Sequence, residues 1–123
     1  MFKMPQKLSD LQKQFAYHCA KLIIYIFDEL ELTCTLGEAE RPEETAARYA
    51  AEGIGTSNSL HRERLALDLH LYDENGVYLT RSEDYAEAGE YWKSLSVMNR
   101  WGGDFKSRPD GNHFSRTPDG VRA

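Results

Sequence analysis

The sequence predicts an α+β domain in which helices pack against a small, mainly antiparallel sheet. Leucines occupy every second position from 65 to 71, which is the period of a strand with one apolar face. An Asn-Gly turn at 75–76 follows this run and favours an antiparallel return of the chain. Apolar residues also recur at helical spacing between residues 9 and 30. These three patterns together predict a few short strands with helices packed on them.

The size and charge of the chain exclude several classes of protein. With 123 residues, we expect a single domain over 1–123, with a loose tail over 116–123. The net charge of -5 excludes the basic surface of a general nucleic-acid-binding protein. The longest apolar run, 22–27, is too short to span a bilayer, and it does not resemble a secretory signal. We therefore expect a protein made in the cytoplasm and not inserted in a membrane. The cysteines Cys19 and Cys34 are too few for a disulfide scaffold, so we expect two reduced thiols.

The first part of the chain predicts two helices separated by a strand. The first helix is expected over 9–30, with Ser9 as its N-cap. Its apolar stripe consists of Leu11, Phe15, Cys19, Leu22, Ile26 and Leu30. A short strand at 32–36 follows. A second helix is expected over 42–51, because proline is favoured in a first helical turn and acidic residues suit a helix N-terminus.

The second part of the chain predicts the rest of the sheet and a third helix. The central strand is expected over 65–72, with a short partner strand at 77–79 after the turn. Ser82 is expected to cap the third helix. The apolar stripe of that helix consists of Tyr85, Ala88, Trp92, Leu95 and Met98. A turn at 108–111 then delivers His113 into a last short strand.

The polar face of the central strand carries Asp68 and His70. A carboxylate in so apolar a strand is costly to bury unless a partner compensates it, and a metal ion is one such partner. His61 precedes Asp68 by an odd number of residues, so on one straight strand their side chains would face opposite ways. They converge if His61 lies in the turn before the strand. A zinc site normally takes three protein ligands, so the third must come from elsewhere, and near the C-terminus the chain offers the segment Asp-Gly-Asn-His-Phe-Ser at 110–115.

Two further residues have more than one interpretation. His70 shares a strand face with Asp68, at a distance of about 6.6 Å along the strand, and is therefore a rival ligand. Asp104 follows the paired glycines at 102–103, which allow a close approach of the backbone. Asp104 is either a further acid at the site or a residue with a structural hydrogen bond.

Three sequence elements in this order carry a resemblance to a known family. Ser59-x-His61, Ala66-x-Asp68 and Asp110-x-x-His113-Phe114 resemble the motifs of the zinc DD-carboxypeptidases and L-alanyl-D-glutamate endopeptidases, which have the hedgehog/DD-peptidase fold. That family cleaves peptidoglycan stem peptides and includes phage endolysins. The resemblance covers roughly 36–115. The family often has glycine where this chain has Arg64, and the endolysin-like branch resembles this chain in carrying arginine there.

The resemblance implies a zinc ion held by His61, Asp68 and His113. A carboxylate must then take a proton from water and pass it to the leaving amine. Asp110 precedes His113 by three residues on the same turn, so it is our candidate for this role. The resemblance gives His70 no ligand role, which leaves it beside the ligands or on the surface.

The resemblance also implies two residues that bind substrate. The family places an arginine at the position of Arg41 to hold the stem peptide, and a guanidinium is well shaped for a carboxylate. From the sequence alone, Arg41 is a solvated loop charge. Ser59 either hydrogen-bonds a ligand or the substrate, or forms a turn.

The function that we expect is zinc-dependent hydrolysis of the peptidoglycan stem peptide by a monomer. Within that class we favour an L-alanyl-D-glutamate endopeptidase of a phage or prophage lysis system, which acts on the cell wall after its release. One alternative is a DD-carboxypeptidase of the same family. The other is a non-catalytic binding domain that zinc stabilises.

Overall fold

The computed structural model describes residues 7–37 and 64–117. Helices and strands follow in the order α1 (Leu8–Asp28), β1 (Thr33–Leu36), β2 (Ala66–Tyr72), α2 (Ala86–Leu95), β3 (Asn99–Trp101) and β4 (His113–Arg116). Short 3₁₀ helices occupy Ser82–Tyr85, directly before α2, and Gly102–Asp104, directly after β3. The helix expected over 42–51 lies outside the described residues.

The four strands form one antiparallel sheet in the order β1-β2-β4-β3. The central strand β2 therefore has β1 on one side and β4 on the other. Its leucines are buried while Asp68 and His70 are half-buried, as the alternation of the sequence predicts. The predicted α+β class with a small antiparallel sheet is confirmed.

The segment 77–79 does not form the partner strand that its turn predicts. It makes an isolated bridge between Tyr72 and Tyr78, together with a hydrogen bond from the Leu79 amide to the Leu71 carbonyl. β4 pairs with the first half of the same edge of β2, at 66–68, so the returning segment meets only the end of that edge at Leu71 and Tyr72. The turn itself is present, and Gly76 has the positive φ of 79° that such turns need.

Trp92 fixes α2 to the sheet and lies at the centre of the core. Its side chain is fully buried, and its ring packs edge-on against Phe15 of α1 and Phe114 of β4. The indole N–H donates to the carbonyls of Arg100 and Ser115, each at 3.0 Å. These contacts connect both helices to β3 and β4. Trp92 lies in the core, as expected for a residue in the apolar stripe of α2.

Two predicted helix caps are wrong. Helix α1 starts at Leu8, so Ser9 lies inside it, and the Asp10 carboxylate accepts from the Lys7 amide at 3.4 Å instead. Ser82 is the first residue of its 3₁₀ helix, and its hydroxyl accepts from the Gly111 amide at 3.0 Å. The Ser82 hydroxyl, which the sequence predicts to cap the helix, therefore binds a backbone amide from a distant part of the chain instead.

Residues 116 and 117, which the sequence assigns to a loose C-terminal tail, belong to the folded domain. Arg116 ends β4 and is 6% exposed, and Thr117 is 1% exposed. Arg116 pairs with Asn99 of β3, so the sheet continues to this point. The remainder of the expected tail, 118–123, lies outside the described residues.

The remaining expectations concern the thiols and the membrane. Cys19 and Cys34 are free and partly buried, as predicted. Burial raises the pKa of the Cys19 thiol to about 12, so it stays protonated at neutral pH. Within 7–37 and 64–117, the helices are too short or too polar to cross a membrane.

Candidate metal centre and active site

Asp68 and His113 are brought together by the pairing of β2 with β4. They are direct partners in the antiparallel register, so their side chains stand on the same face of the sheet. The Asp68 Oδ1 and His113 Nδ1 atoms are 3.5 Å apart. His113 is 8% exposed, and the Asp68 side chain is 18% exposed. The polar face of β2 thus meets an imidazole from a strand much later in the chain.

Asp110 joins this pair from the turn that leads into β4. Its carbonyl accepts from the His113 amide at 3.1 Å, and its own amide donates to the Gly102 carbonyl at 2.9 Å. A Cβ on Gly102 would collide with the Asp110 carbonyl oxygen, so the glycine is needed for this close approach. The prediction that the paired glycines permit close backbone contact is confirmed at Gly102.

The three side chains form a group with the composition of a metal site. Ligand atoms from Asp68, Asp110 and His113 all lie within 4.8 Å of one another. Zinc takes imidazole nitrogen and carboxylate oxygen at about 2.0–2.2 Å, so two tetrahedral ligands are separated by roughly 3.4 Å. The distance of 3.5 Å between Asp68 and His113 matches this value. Asp68 and His113 therefore fit a zinc ion both by ligand type and by spacing, and Asp110 fits it by ligand type.

Comparison with known proteins identifies the family. The family model for D-alanyl-D-alanine carboxypeptidase matches residues 52–116, which contain all three members of the group. The chain belongs to this family. It is therefore a metallopeptidase of the class that acts on peptidoglycan, and the family predicted from the sequence motifs is confirmed.

One solved structure supports the fold of the peptidase along nearly its whole length. It is the L-Ala D-Glu endopeptidase ChiX of Serratia marcescens, with a TM-score of 0.66 and 20% sequence identity. The match covers 95% of this chain and 93% of that chain. No curated protein sequence matches the chain.

The structure of the peptidase places His70 and Asp104, whose roles the sequence leaves open, beside the metal-binding group and not in it. His70 Nδ1 lies 3.1 Å from the Tyr78 hydroxyl and 3.5 Å from Asn112 Nδ2. Asp104 Oδ2 accepts from Lys93 Nζ at 2.7 Å, and its side chain is 51% exposed. In the described part of the chain, the metal-binding group contains neither residue. Asp104 therefore has the structural interaction, and His70 contacts the loop that carries His113.

Three predicted site residues lie outside the described residues. They are the expected ligand His61 and the expected substrate-binding residues Arg41 and Ser59. Their roles stay predictions from the resemblance. The described chain resumes at Arg64, whose φ of 59° is left-handed and turns the backbone immediately before β2. The family often has glycine at this position, and glycine adopts such a φ without steric cost.

The sequence does not indicate a small polar cavity that adjoins the metal-binding group of the peptidase. It has a volume of about 140 Å³, and Asp110 is one of its lining residues. Tyr78, Arg81 and Ser82 line it as well. These residues belong to an unexceptional turn and helix start in the sequence, so no motif distinguishes them. The bond between Ser82 and Gly111 joins the two segments, and it is not visible in the sequence.

Proposed function

We propose that the protein is a zinc-dependent hydrolase of the peptidoglycan stem peptide, and within that class an L-alanyl-D-glutamate endopeptidase. The observation that carries this is the group of Asp68, Asp110 and His113, inside the segment that matches the peptidase family. The likeness in fold to an enzyme described as an L-Ala D-Glu endopeptidase supports the choice of bond. The endolysin role and the action on the wall after release rest on the motifs that the chain shares with the endolysin-like branch.

The proposed ligands are His61, Asp68 and His113. Asp68 and His113 are buried or half-buried on paired strands, so their positions are fixed before any ion binds. A bound zinc ion would supply Lewis acidity, which lowers the pKa of water and polarises the scissile carbonyl. The ion also compensates the Asp68 carboxylate in its half-buried position.

Asp110 is the proposed general base and acid. It is exposed, and it lies on a turn and not on a strand, so its carboxylate can reach a bound peptide. Its proximity to Asp68 and His113 puts it where a proton must be taken from water and given to the leaving amine. The same proximity would also let Asp110 bind the metal as a further ligand, and metal analysis of a variant separates these two roles.

Arg41 and Ser59 are proposed to bind the substrate. Stem peptides carry carboxylates, and an acidic protein with a net charge of -5 needs a local cation to hold one. A guanidinium fork on Arg41 supplies that cation and can bind a carboxylate through two hydrogen bonds.

Digestion of a purified stem peptide tests the proposed function. We expect zinc-loaded protein to release a fragment with a new N-terminus at D-glutamate, which mass spectrometry identifies. Release of a terminal D-alanine would instead establish the DD-carboxypeptidase that the family description names. Zinc binding without any new terminus would establish the non-catalytic binding domain. Protein treated with chelator is the matched control.

A further inference from the structure

The cavity beside Asp110 is bounded by two segments that are fixed to each other. One wall is formed by the residues from Tyr78 to Ser82, and the other by those from Pro109 to Asn112. The Gly111 amide donates to the Ser82 hydroxyl at 3.0 Å. A Cβ on Gly111 would lie 2.6 Å from Ser82 Cα, so the walls are in contact at this point. The hydrogen bond and this contact therefore hold the two walls of the cavity in fixed positions.

Its base is equally fixed. The Tyr85 hydroxyl lines the cavity, donates to the Leu79 carbonyl at 2.8 Å and accepts from the Leu71 amide at 3.1 Å. Burial is the main cause that raises the pKa of Tyr85 to about 12, so this hydroxyl is neutral under ordinary conditions. On the rim, Tyr78 is held by the ring of His70, whose Nδ1 lies 3.1 Å from the hydroxyl.

The chemistry of the lining defines a class of ligand. Its exposed atoms are polar, so an apolar group such as the methyl of D-alanine would gain nothing there. Among the described residues that line the cavity Arg81 is the one cation, and its side chain is 71% exposed and pairs with Glu83. Asp110 lines the cavity and also belongs to the metal-binding group, which places the cavity next to that group.

We propose that this cavity is the subsite for the free carboxylate of the D-glutamate residue, and that Arg81 determines the specificity for it. This rests on the proposed function. The volume of about 140 Å³ suits one short acidic group and not a whole peptide. A carboxylate there meets the guanidinium of Arg81 and the Ser82 hydroxyl, which accepts from Gly111 and can donate its own proton, and charge-assisted hydrogen bonds of this kind are the stronger ones. Glu83 competes with the substrate for the same guanidinium.

Two matched peptides and two matched variants test the proposal. One peptide carries D-glutamate with its free carboxylate, and the other carries the amidated residue. Arg81→Gln should lower kcat/KM roughly tenfold on the free-acid peptide and much less on the amidated one. Lys106→Gln removes the same charge from an exposed site in the nearby loop outside the cavity, and should change neither value. Zinc content and melting temperature should be unchanged in both variants.

A third variant should bind the free-acid peptide more tightly and not more weakly. Glu83→Gln releases the guanidinium of Arg81 from its present partner, so KM should fall for the free-acid peptide alone. Equal effects of Arg81→Gln on the two peptides, or no effect on either, would overturn the subsite while leaving the proposed function intact. Wild-type protein that cleaves neither peptide would refute the proposed function itself, so the two failures are distinguishable.

Discussion

Asp68 of β2 and His113 of β4 face one another across the sheet, with 3.5 Å between Oδ1 and Nδ1. The register of the two strands creates this pair. Because side chains alternate between the faces of a strand, a slip of one residue would turn His113 to the opposite face. The centre therefore exists only in the correctly paired sheet, and metal binding should be linked to folding.

The first prediction concerns the ligands. After zinc loading, His113→Ala and Asp68→Asn should contain far less zinc than the wild type, as elemental analysis measures. His70→Ala removes an imidazole from the same strand face and should keep its zinc, because His70 is not part of the group. Chelation should lower the stability of the wild type, by about 4 kcal/mol if free zinc was a thousandfold above its Kd. A full zinc equivalent in His113→Ala would refute the ligand assignment.

The second prediction separates metal binding from catalysis. Asp110→Ala should retain zinc and lose turnover by roughly 10²- to 10⁴-fold, the range expected for a general acid–base group. Asp104→Ala is the control, since Asp104 bonds to Lys93 and should matter little for turnover. Loss of zinc in Asp110→Ala would instead make Asp110 a ligand, and unchanged turnover would make Asp104 the better candidate for the base.

The third prediction concerns Arg116, a buried residue at the end of β4. It is 6% exposed, its Nε has no hydrogen-bond partner, and the ion pairs found within 7–37 and 64–117 do not include it. Replacing a buried ion pair by apolar side chains of similar volume is often neutral or stabilising, because the charges no longer have to be desolvated. We expect the same for the single charge of Arg116, so Arg116→Met should leave the free energy of unfolding unchanged or raise it by up to about 4 kcal/mol in a urea titration. Lys106→Met, at an exposed site, should change it by less than about 0.5 kcal/mol. Destabilisation by Arg116→Met would show that Arg116 has a structural role.

The fourth prediction concerns pH and His18 of α1. Burial lowers the pKa of His18 below its ordinary value of 6.5, and the cations Arg116 and Lys21 add to this, against a smaller opposing effect of Asn99. The unfolded chain therefore takes up this proton more readily than the folded one. Stability is lost as the pH falls through about 6.5 and is fully present above it.

Comparison with His18→Gln isolates this effect. In metal-free protein, the unfolding free energy of the wild type minus that of the variant should fall between about pH 8 and about pH 5. A difference that stays constant or grows towards acid would contradict the burial of His18 as its cause.

The fifth prediction concerns the left-handed backbone at Arg64. Arg64→Gly and Arg64→Ala both remove the side chain, but only glycine adopts a φ of 59° without strain. The glycine variant should be more stable than the alanine variant by about 1 kcal/mol in chemical denaturation. Equal stability of the two variants would mean that the backbone relaxes at this position.

Part of the metal centre could be predicted because the sequence patterns that indicate it are local. The alternation of leucines fixes the face of Asp68, and the turn before β4 fixes the spacing from Asp110 to His113. The buried stripe of α1 and the core position of Trp92 follow from helical periodicity in the same way.

The remainder depends on contacts that the local sequence does not encode. The pairing of β2 with β4 is long-range, and the partner strand expected at 77–79 is reduced to an isolated bridge at the end of β2. β3 has three residues, which is too few for a periodic signal. Ser82 resembles a helix cap, and its bond to Gly111 becomes visible only when two distant turns meet. The cavity with Arg81 therefore could not be predicted from any motif.

The indole of Trp101 donates to the carbonyl of Gly111 at 2.7 Å, one residue from Asp110. The other tryptophan of the chain, Trp92, lies in the core and is tied to β3 and β4. A change in the loop of Asp110 therefore alters the surroundings of one indole and leaves those of the other in place. The fluorescence emission of Trp101 should therefore respond to a change in this loop, and that of Trp92 should not.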